Sequence, residues 1–310
     1  MPSNRWRNIS ELSFKLAAYL ALLVVLTPAV WIISGVVYRA VPHWQWSVLW
    51  TDTQGTNGGL ENCILGTLVL MFGVLLVAGT TGVLAGIHLA ELARPRKNGK
   101  PSGTILRLAV EVLSGFPSIV LGYVGYVALV LGAGWNFGIL PAVLILSVLV
   151  VPYIAKSTET ALRQVPTSYR EGAVALGIST GRTLRTIVLK AALPGIATGL
   201  LLALAISGGE TAPLLLTAGF TNQNPGLSLI HRPIAYLTYP VFNFFQSTSA
   251  HGVQLSYDAA LLLIVLVLIL LVSARLIVTR TQRHAEAGAS KSRRGRRRRP
   301  EADVSSLPVV

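Results

Sequence analysis

Six long apolar runs dictate what this chain can fold into: Leu16–Val37, Ile64–Leu89, Leu108–Leu131, Phe137–Ala155, Ala191–Ala218 and Ala259–Val278. About 20 helical residues cross a hydrocarbon core of about 30 Å. Inside lipid no water completes the backbone's hydrogen bonds, so such runs must be helices that satisfy their own N–H and C=O groups. Composition agrees, since 52% hydrophobic and 12% charged residues with a mean hydropathy of +0.62 are too apolar for a soluble domain. The expected fold is all-α: a polytopic membrane protein with six transmembrane helices. The first run follows Arg5, Arg7 and Lys15, the polarity of a signal peptide. It is longer than the 7–15 apolar residues or so of such a peptide and lacks a convincing cleavage site, so an uncleaved anchor is expected. Gly82 and Gly86 form a small-xxx-small pair that lets another helix approach closely. The third run carries Glu111 and Pro117, and Gly208-Gly209 and Pro213 break the fifth. Arg275, near the end of the sixth, is placed to snorkel to the interface.

Lysine and arginine orient these spans. The amino terminus, Leu92–Arg107, Lys156–Lys190 and the tail from Arg275 hold 3, 5, 6 and 10 basic residues, 24 of the 26. Arg39 and Arg232 alone lie on the other side. The positive-inside rule therefore puts both termini and the segment between the fourth and fifth runs in the cytoplasm, and that parity demands an even number of spans. The expected organisation is a basic cytoplasmic amino terminus (1–15), a transmembrane domain (16–280) and a disordered basic cytoplasmic tail (281–310). The net charge of +14 and the tail sequence KSRRGRRRRP suggest nucleic acid in a soluble chain. Just past a membrane span they read instead as a segment held near anionic lipid. The lone Cys63 excludes an internal disulfide. His231 and His251 lack the spacing of metal ligands, so no metal site is expected. The longer outer loop, Gly219–Tyr257, contains HRPIAYLTYPVFNFF, which suits an aromatic interfacial belt or a docking surface for an external partner.

Val165–Pro194 is the longest polar interruption. Ser168 and Glu171 have the spacing of a capping box, with Pro166 just outside it. Gly177 stands where a short helix would end in a left-handed residue. Ser179 or Thr180 then caps a second helix running through Leu184, Ile187 and Val188 into the fifth span. The expectation is a short helix, a glycine turn and a second helix at the membrane surface, with Glu171 serving as a cap, as a docking contact, or both.

Glu171-Gly172-Ala173, followed by Gly177 and Ile187, resembles the EAA loop of ABC-importer permeases, E-A-A, three residues, G, nine residues, I-x-L-P. Gly172 replaces the first alanine of that pattern, and Lys190 stands at the proline, with Leu193-Pro194 beyond it. The segments EVLSGFPSIV from Glu111 and GGETAPLL from Gly208 narrow the resemblance to the phosphate-specific (Pst) importer permeases of the PstA type, over roughly residues 16–280. The resemblance implies a type I ABC-importer permease of the bacterial plasma membrane that moves inorganic phosphate inward. It implies a second, PstC-like permease, a dimer of PstB-like ATP-binding subunits and a PstS-like extracytoplasmic phosphate-binding protein as partners. The loop 165–190 would contact the ATPase through Glu171, Ala173 and Gly177, supported by Ser168 and Arg170. The chain contains no G-x-x-x-x-G-K-[ST] pattern, so ATP and magnesium belong to the partner ATPase and no catalytic residue is expected here.

Ionisable residues inside a membrane are functional candidates by default, because exposing them to lipid is costly. Glu111 and Glu210 are the two, with Ser114, Ser118, Ser207 and Thr211 as pathway hydroxyls beside them. Acidic groups suit an anionic substrate poorly, and Ile206 occupies the place where these permeases often carry an arginine. Glu210 is therefore expected to pair with a basic residue of the second permease, to bond a neighbour such as Thr211, to be held neutral by burial, or to bridge helices. Three other functions remain open: a permease for sulfate or molybdate, a proton-coupled secondary transporter using the two glutamates, and a membrane scaffold that signals through its tail.

Overall fold

The computed structural model describes residues 4–92 and 103–297. Its long helices are α1 (Asn4–Ala40), α2 (Glu61–Ile87, continued by a wider π turn, His88–Leu92), α5 (Ile139–Arg163), α8 (Leu189–Gly209) and α11 (Ala250–Arg297). Shorter helices are α3 (Thr104–Ser114), α4 (Ser118–Gly125, continued by a π turn, Tyr126–Gly132), α6 (Thr167–Ala175), α7 (Thr180–Thr183), α9 (Ala212–Thr217) and α10 (Thr238–Asn243). Strands β1 (Thr53–Gln54) and β2 (Asn57–Gly58) form a small antiparallel hairpin before α2.

Among the described residues five helices are long and apolar enough to cross a membrane, and the third apolar run makes a sixth only as a bent pair. Its arms, Thr104–Ser114 and Ser118–Gly132, meet at 104°. Pro117 is the cause. It has no N–H for a continuing helix and pushes the residue before it out of the helical region. Its own backbone is extended (ψ 130), and its carbonyl accepts the first N–H groups of α4, from Val120 at 3.0 Å and Leu121 at 3.2 Å. The third run is thus two arms around a corner, not the uninterrupted span the hydropathy implied.

At the centre stands α5, with two thirds of its apolar window buried (67%). Lipid tails are as apolar as leucine, so helices associate in lipid through close packing more than through burial. Glycine makes that possible along α2. A Cβ at Gly82 would lie 2.7 Å from Ile154 Cβ, and one at Gly86 would lie 2.5 Å from Thr158 Cβ. The small-residue pair read from the sequence is therefore the seam between α2 and α5. On the other side of α5, Gly195 and Gly199 of α8 lie against Ala161 and Ser157. Val74, Leu146, Val150, Ile154 and Ala203 join these three helices in the main core.

None of the apolar window of α1 is buried; this helix touches the bundle through α11. The two meet where Arg39 donates to the Tyr257 hydroxyl and Gln254 Nε2 donates to Ala40 O at 3.3 Å. Thr198 of α8 and Ala274 of α11 pair toward the opposite end, the end where α6 lies. α11 stays helical past residue 281, where a change to a separate tail was expected, as far as Arg297. Residues 298–310, like the basic stretch 93–102, lie outside the described residues.

At the end opposite α6, the aromatic segment packs inward. Phe220 stacks on Tyr239 with centroids 3.8 Å apart, and Tyr236 and Phe244 stand edge-on to them. Tyr236 is fully buried and Phe244 nearly so, while Phe242 and Phe245 face outward. Most of the expected belt or docking surface is a core that seats the loop 218–237 between the helices.

Candidate functional site

Two places carry the residues singled out from the sequence. The first is α6 and its flanks. Pro166 precedes the helix with an extended backbone (ψ 138), and its carbonyl accepts the Tyr169 N–H at 3.2 Å. The helix therefore starts at Thr167, and Ser168 is already inside the first turn. The expected capping box does not form, and no side chain caps this end. The other end closes as expected. Gly177 adopts φ +70, its N–H bonds Val174 O at 2.9 Å, and the Ile178 N–H reaches back to Ala173 O at 2.9 Å. That is the paired arrangement that satisfies the last carbonyls of a helix. Ser179 takes the cap position of α7 with its backbone alone, accepting the Thr183 N–H at 2.9 Å. From Thr180 the chain is continuously helical through a π turn (Leu184–Val188) to Gly209.

The side chains of α6 divide into two sets. Ala173 is buried (3% exposed), and Arg170 turns inward. Arg170 makes a two-pronged ion pair with Glu91, Nη1 to Oε2 and Nη2 to Oε1, both at 2.7 Å. Glu171 faces outward, and so do Tyr169, Val174 and Leu176 (53%, 72% and 79% exposed). Helix α6 and its C-cap residue Leu176 thus expose an acid and three large side chains on one short segment. Nearby, Glu159 accepts from Arg107 of α3 at 2.8 Å and from Arg163 at 2.7 Å, which ties α3 to this same end.

The second place is the break between α8 and α9. Gly209 ends α8, Glu210 is extended (φ −72, ψ 135), and α9 begins at Ala212-Pro213. Thr238 Oγ1 donates to Glu210 O at 3.0 Å, and Ser118 lies beside the Glu210 carboxyl. Glu210 therefore has a neighbour inside this chain, at the first residue of α4. The approach is close because Gly122 has no side chain: a Cβ there would lie 2.7 Å from Pro213 Cα. Ser207 is buried, with its hydroxyl on Leu204 O at 3.1 Å, and Thr211 is half-buried. Behind the break, Ser207, Gly208, Thr67, Tyr236 and Thr238 help to wall a cavity of about 10 Å³, about the room one water needs.

The structure thus brings Ser118, Ser207, Glu210 and Thr211 to one break and puts Ser114 and Glu111 on the far arm of the corner. Both of the latter are exposed, and Ser114 Oγ donates to Glu111 O at 2.8 Å. Glu111 is no buried carboxyl here, because the bend leaves only Val110 of α3 fully covered. Sequence reasoning missed Glu91, which lies 79 positions before its partner Arg170. Its one signal was an acid at the end of an otherwise apolar run.

A bundle of membrane-length helices, with one apolar run bent at a corner, another ended at Glu210 and a short helical loop at one end, has the architecture of a polytopic membrane protein. The chain belongs to the family described as "Binding-protein-dependent transport system inner membrane component", which matches residues 82–283. It is 56% identical over 258 residues to "Phosphate transport system permease protein PstA 2" of Mycobacterium bovis, covering 83% of this chain and 84% of the relative. The "Phosphate transport system permease protein PstA" of Yersinia pestis is 35% identical over 237 residues, 76% of this chain and 78% of that one. A chain of the MetNI methionine ABC transporter, solved in inward-facing conformations, superposes with a TM-score of 0.51 at 20% identity, covering 72% of this chain and 94% of that one. That likeness is one of fold.

Proposed function

We propose that this chain is the PstA-type permease subunit of an ATP-driven importer that carries inorganic phosphate into the cell. The observation that carries the substrate is the 56% identity over 83% of the chain to a protein named as a phosphate permease. The observation that supports ATP coupling is α6, whose exposed Glu171, Tyr169, Val174 and Leu176 form a compact projecting surface. In this reading α6 and α7 sit in a groove of a separate ATPase, which holds the ATP and magnesium. A second permease covers the unpaired faces, and an extracytoplasmic binding protein delivers phosphate to the end formed by the β1–β2 hairpin and the loop 218–237. Both termini and α6 then face the cytoplasm, in keeping with the distribution of lysine and arginine, and the basic tail lies along anionic lipid.

The transport path in this reading passes the break at Ser207–Thr211, where backbone groups freed between α8 and α9 meet hydroxyls. Uptake of radiolabelled phosphate into vesicles holding the co-purified complex tests the function. ATP-dependent uptake that excess sulfate and molybdate fail to compete is the expected result. Uptake driven by a proton gradient without ATP would overturn it.

A further inference from the structure

We propose that Glu91 and Arg170 act as a positioning pair that locks α6 to the end of α2, so that a displacement of α6 moves α2 rather than being lost in the loop. This rests on the coupling role proposed for α6 and names the residues that transmit it. Three observations converge on it.

The first is the geometry of the pair. Both guanidinium prongs meet both carboxylate oxygens at 2.7 Å, and the side chains are only 18% and 12% exposed. A two-pronged bond of this kind fixes orientation as well as distance, unlike a single contact between mobile surface charges. Arg170 Nη2 also reaches Leu162 O at the end of α5, at 3.4 Å.

The second is what each partner stands on. Glu91 lies in the π turn that ends α2, directly after Leu89 and Ala90, which are both 1% exposed. Those two pack with Ala155, Ala161 and Leu162 of α5, so the carboxylate is mounted on a rigid part of the core. Above that turn run Gly82 and Gly86, where α2 closely approaches α5. A push on Glu91 is therefore delivered to the α2–α5 seam.

The third is how little else holds α6. It is nine residues long, contains Gly172, and packs on α7 and the π turn that follows. A helix this short is marginal alone. The other carboxylate nearby, Glu159, already accepts from Arg107 and Arg163. Arg170 is thus assigned to Glu91 and Glu171 is left free to face outward, so adjacent residues of one helix serve the two sides of the junction.

The test uses the complete complex in proteoliposomes and reads ATP hydrolysed per phosphate transported, together with the amount of complex recovered. Glu91→Gln, Arg170→Gln and the double variant form a cycle, with Arg170→Lys as the conservative change that keeps charge and loses the fork. Each single variant is expected to hydrolyse ATP and to raise ATP consumed per phosphate by about tenfold, the fold-change that corresponds to losing one charge-assisted link. The double variant is expected to be no worse than either single one. An unchanged ratio would overturn the proposal, whether uptake and hydrolysis stay normal or fall together with the yield of complex. Defects that multiply in the double variant would also overturn it. Failure of the underlying coupling reading is distinguishable, because the unmodified complex would then show no link between hydrolysis and uptake.

Discussion

Two glycines five residues apart in α6 and its turn make opposite demands on a methyl group. At Gly172 an added Cβ meets nothing within 4 Å and the backbone is helical. Alanine there gains about 1 kcal/mol of intrinsic helix stability. Gly172→Ala should slow hydrogen exchange in α6 and leave uptake intact. At Gly177 the space is equally open, but φ is +70. An L-residue pays about 1–2 kcal/mol for that conformation. Gly177→Ala should speed exchange at Ala173 to Ile178 and lower uptake without lowering the amount of protein in the membrane. Glu210 is a residue-scale case of a different kind. Its carboxyl is half-buried beside Ser118, with no ion pair to a basic residue among the described residues, and a glutamine has the same size and keeps an acceptor oxygen. Glu210→Gln should therefore preserve assembly.

At the scale of elements, helix contacts in this bundle are set by what is missing from them. The α2–α5 seam exists because Gly82 and Gly86 carry no side chain toward Ile154 and Thr158. Gly86→Val would put atoms where Thr158 Cβ and Ala155 O now lie, 2.5 and 2.6 Å from the new Cβ. Overpacking of that kind costs about 1–3 kcal/mol or more. The expected outcome is a less thermostable complex in detergent, whereas Gly35→Val on α1, with nothing within 4 Å, should be tolerated. Breaks matter as much as seams. The corner at Gly115–Pro117 and the extended Glu210 place the first turn of α4 beside the start of α9, and irregular backbone inside a membrane is tolerated only where protein or a polar cavity surrounds it. Thr238, Ser118 and the wall of Ser207, Thr67 and Tyr236 supply that surrounding here.

For the whole molecule, much was already legible in the linear chain. Runs of about 20 apolar residues admit only helices, so the all-α membrane class followed from the requirement that lipid imposes on backbone hydrogen bonds. Local chemistry likewise settled the left-handed turn at Gly177, the break at Gly208–Pro213 and the close approach at Gly82 and Gly86. These features depend on one residue's own conformational range or on its size. What the linear chain left open was which groups meet. The capping box failed because Pro166 starts the helix two residues too early for Ser168, a choice made by how α5 hands over to α6. Tyr236, Tyr239 and Phe244 turned inward because Phe220, from the far side of the loop, offers Tyr239 a face to stack on. Glu91 became the partner of Arg170, and Ser118 the neighbour of Glu210, across 79 and 92 positions of chain. Hydropathy and helix propensity act over a few turns, but an ion pair or a ring stack is decided by proximity in space, and only the packing of α2, α5 and α8 brings those groups together.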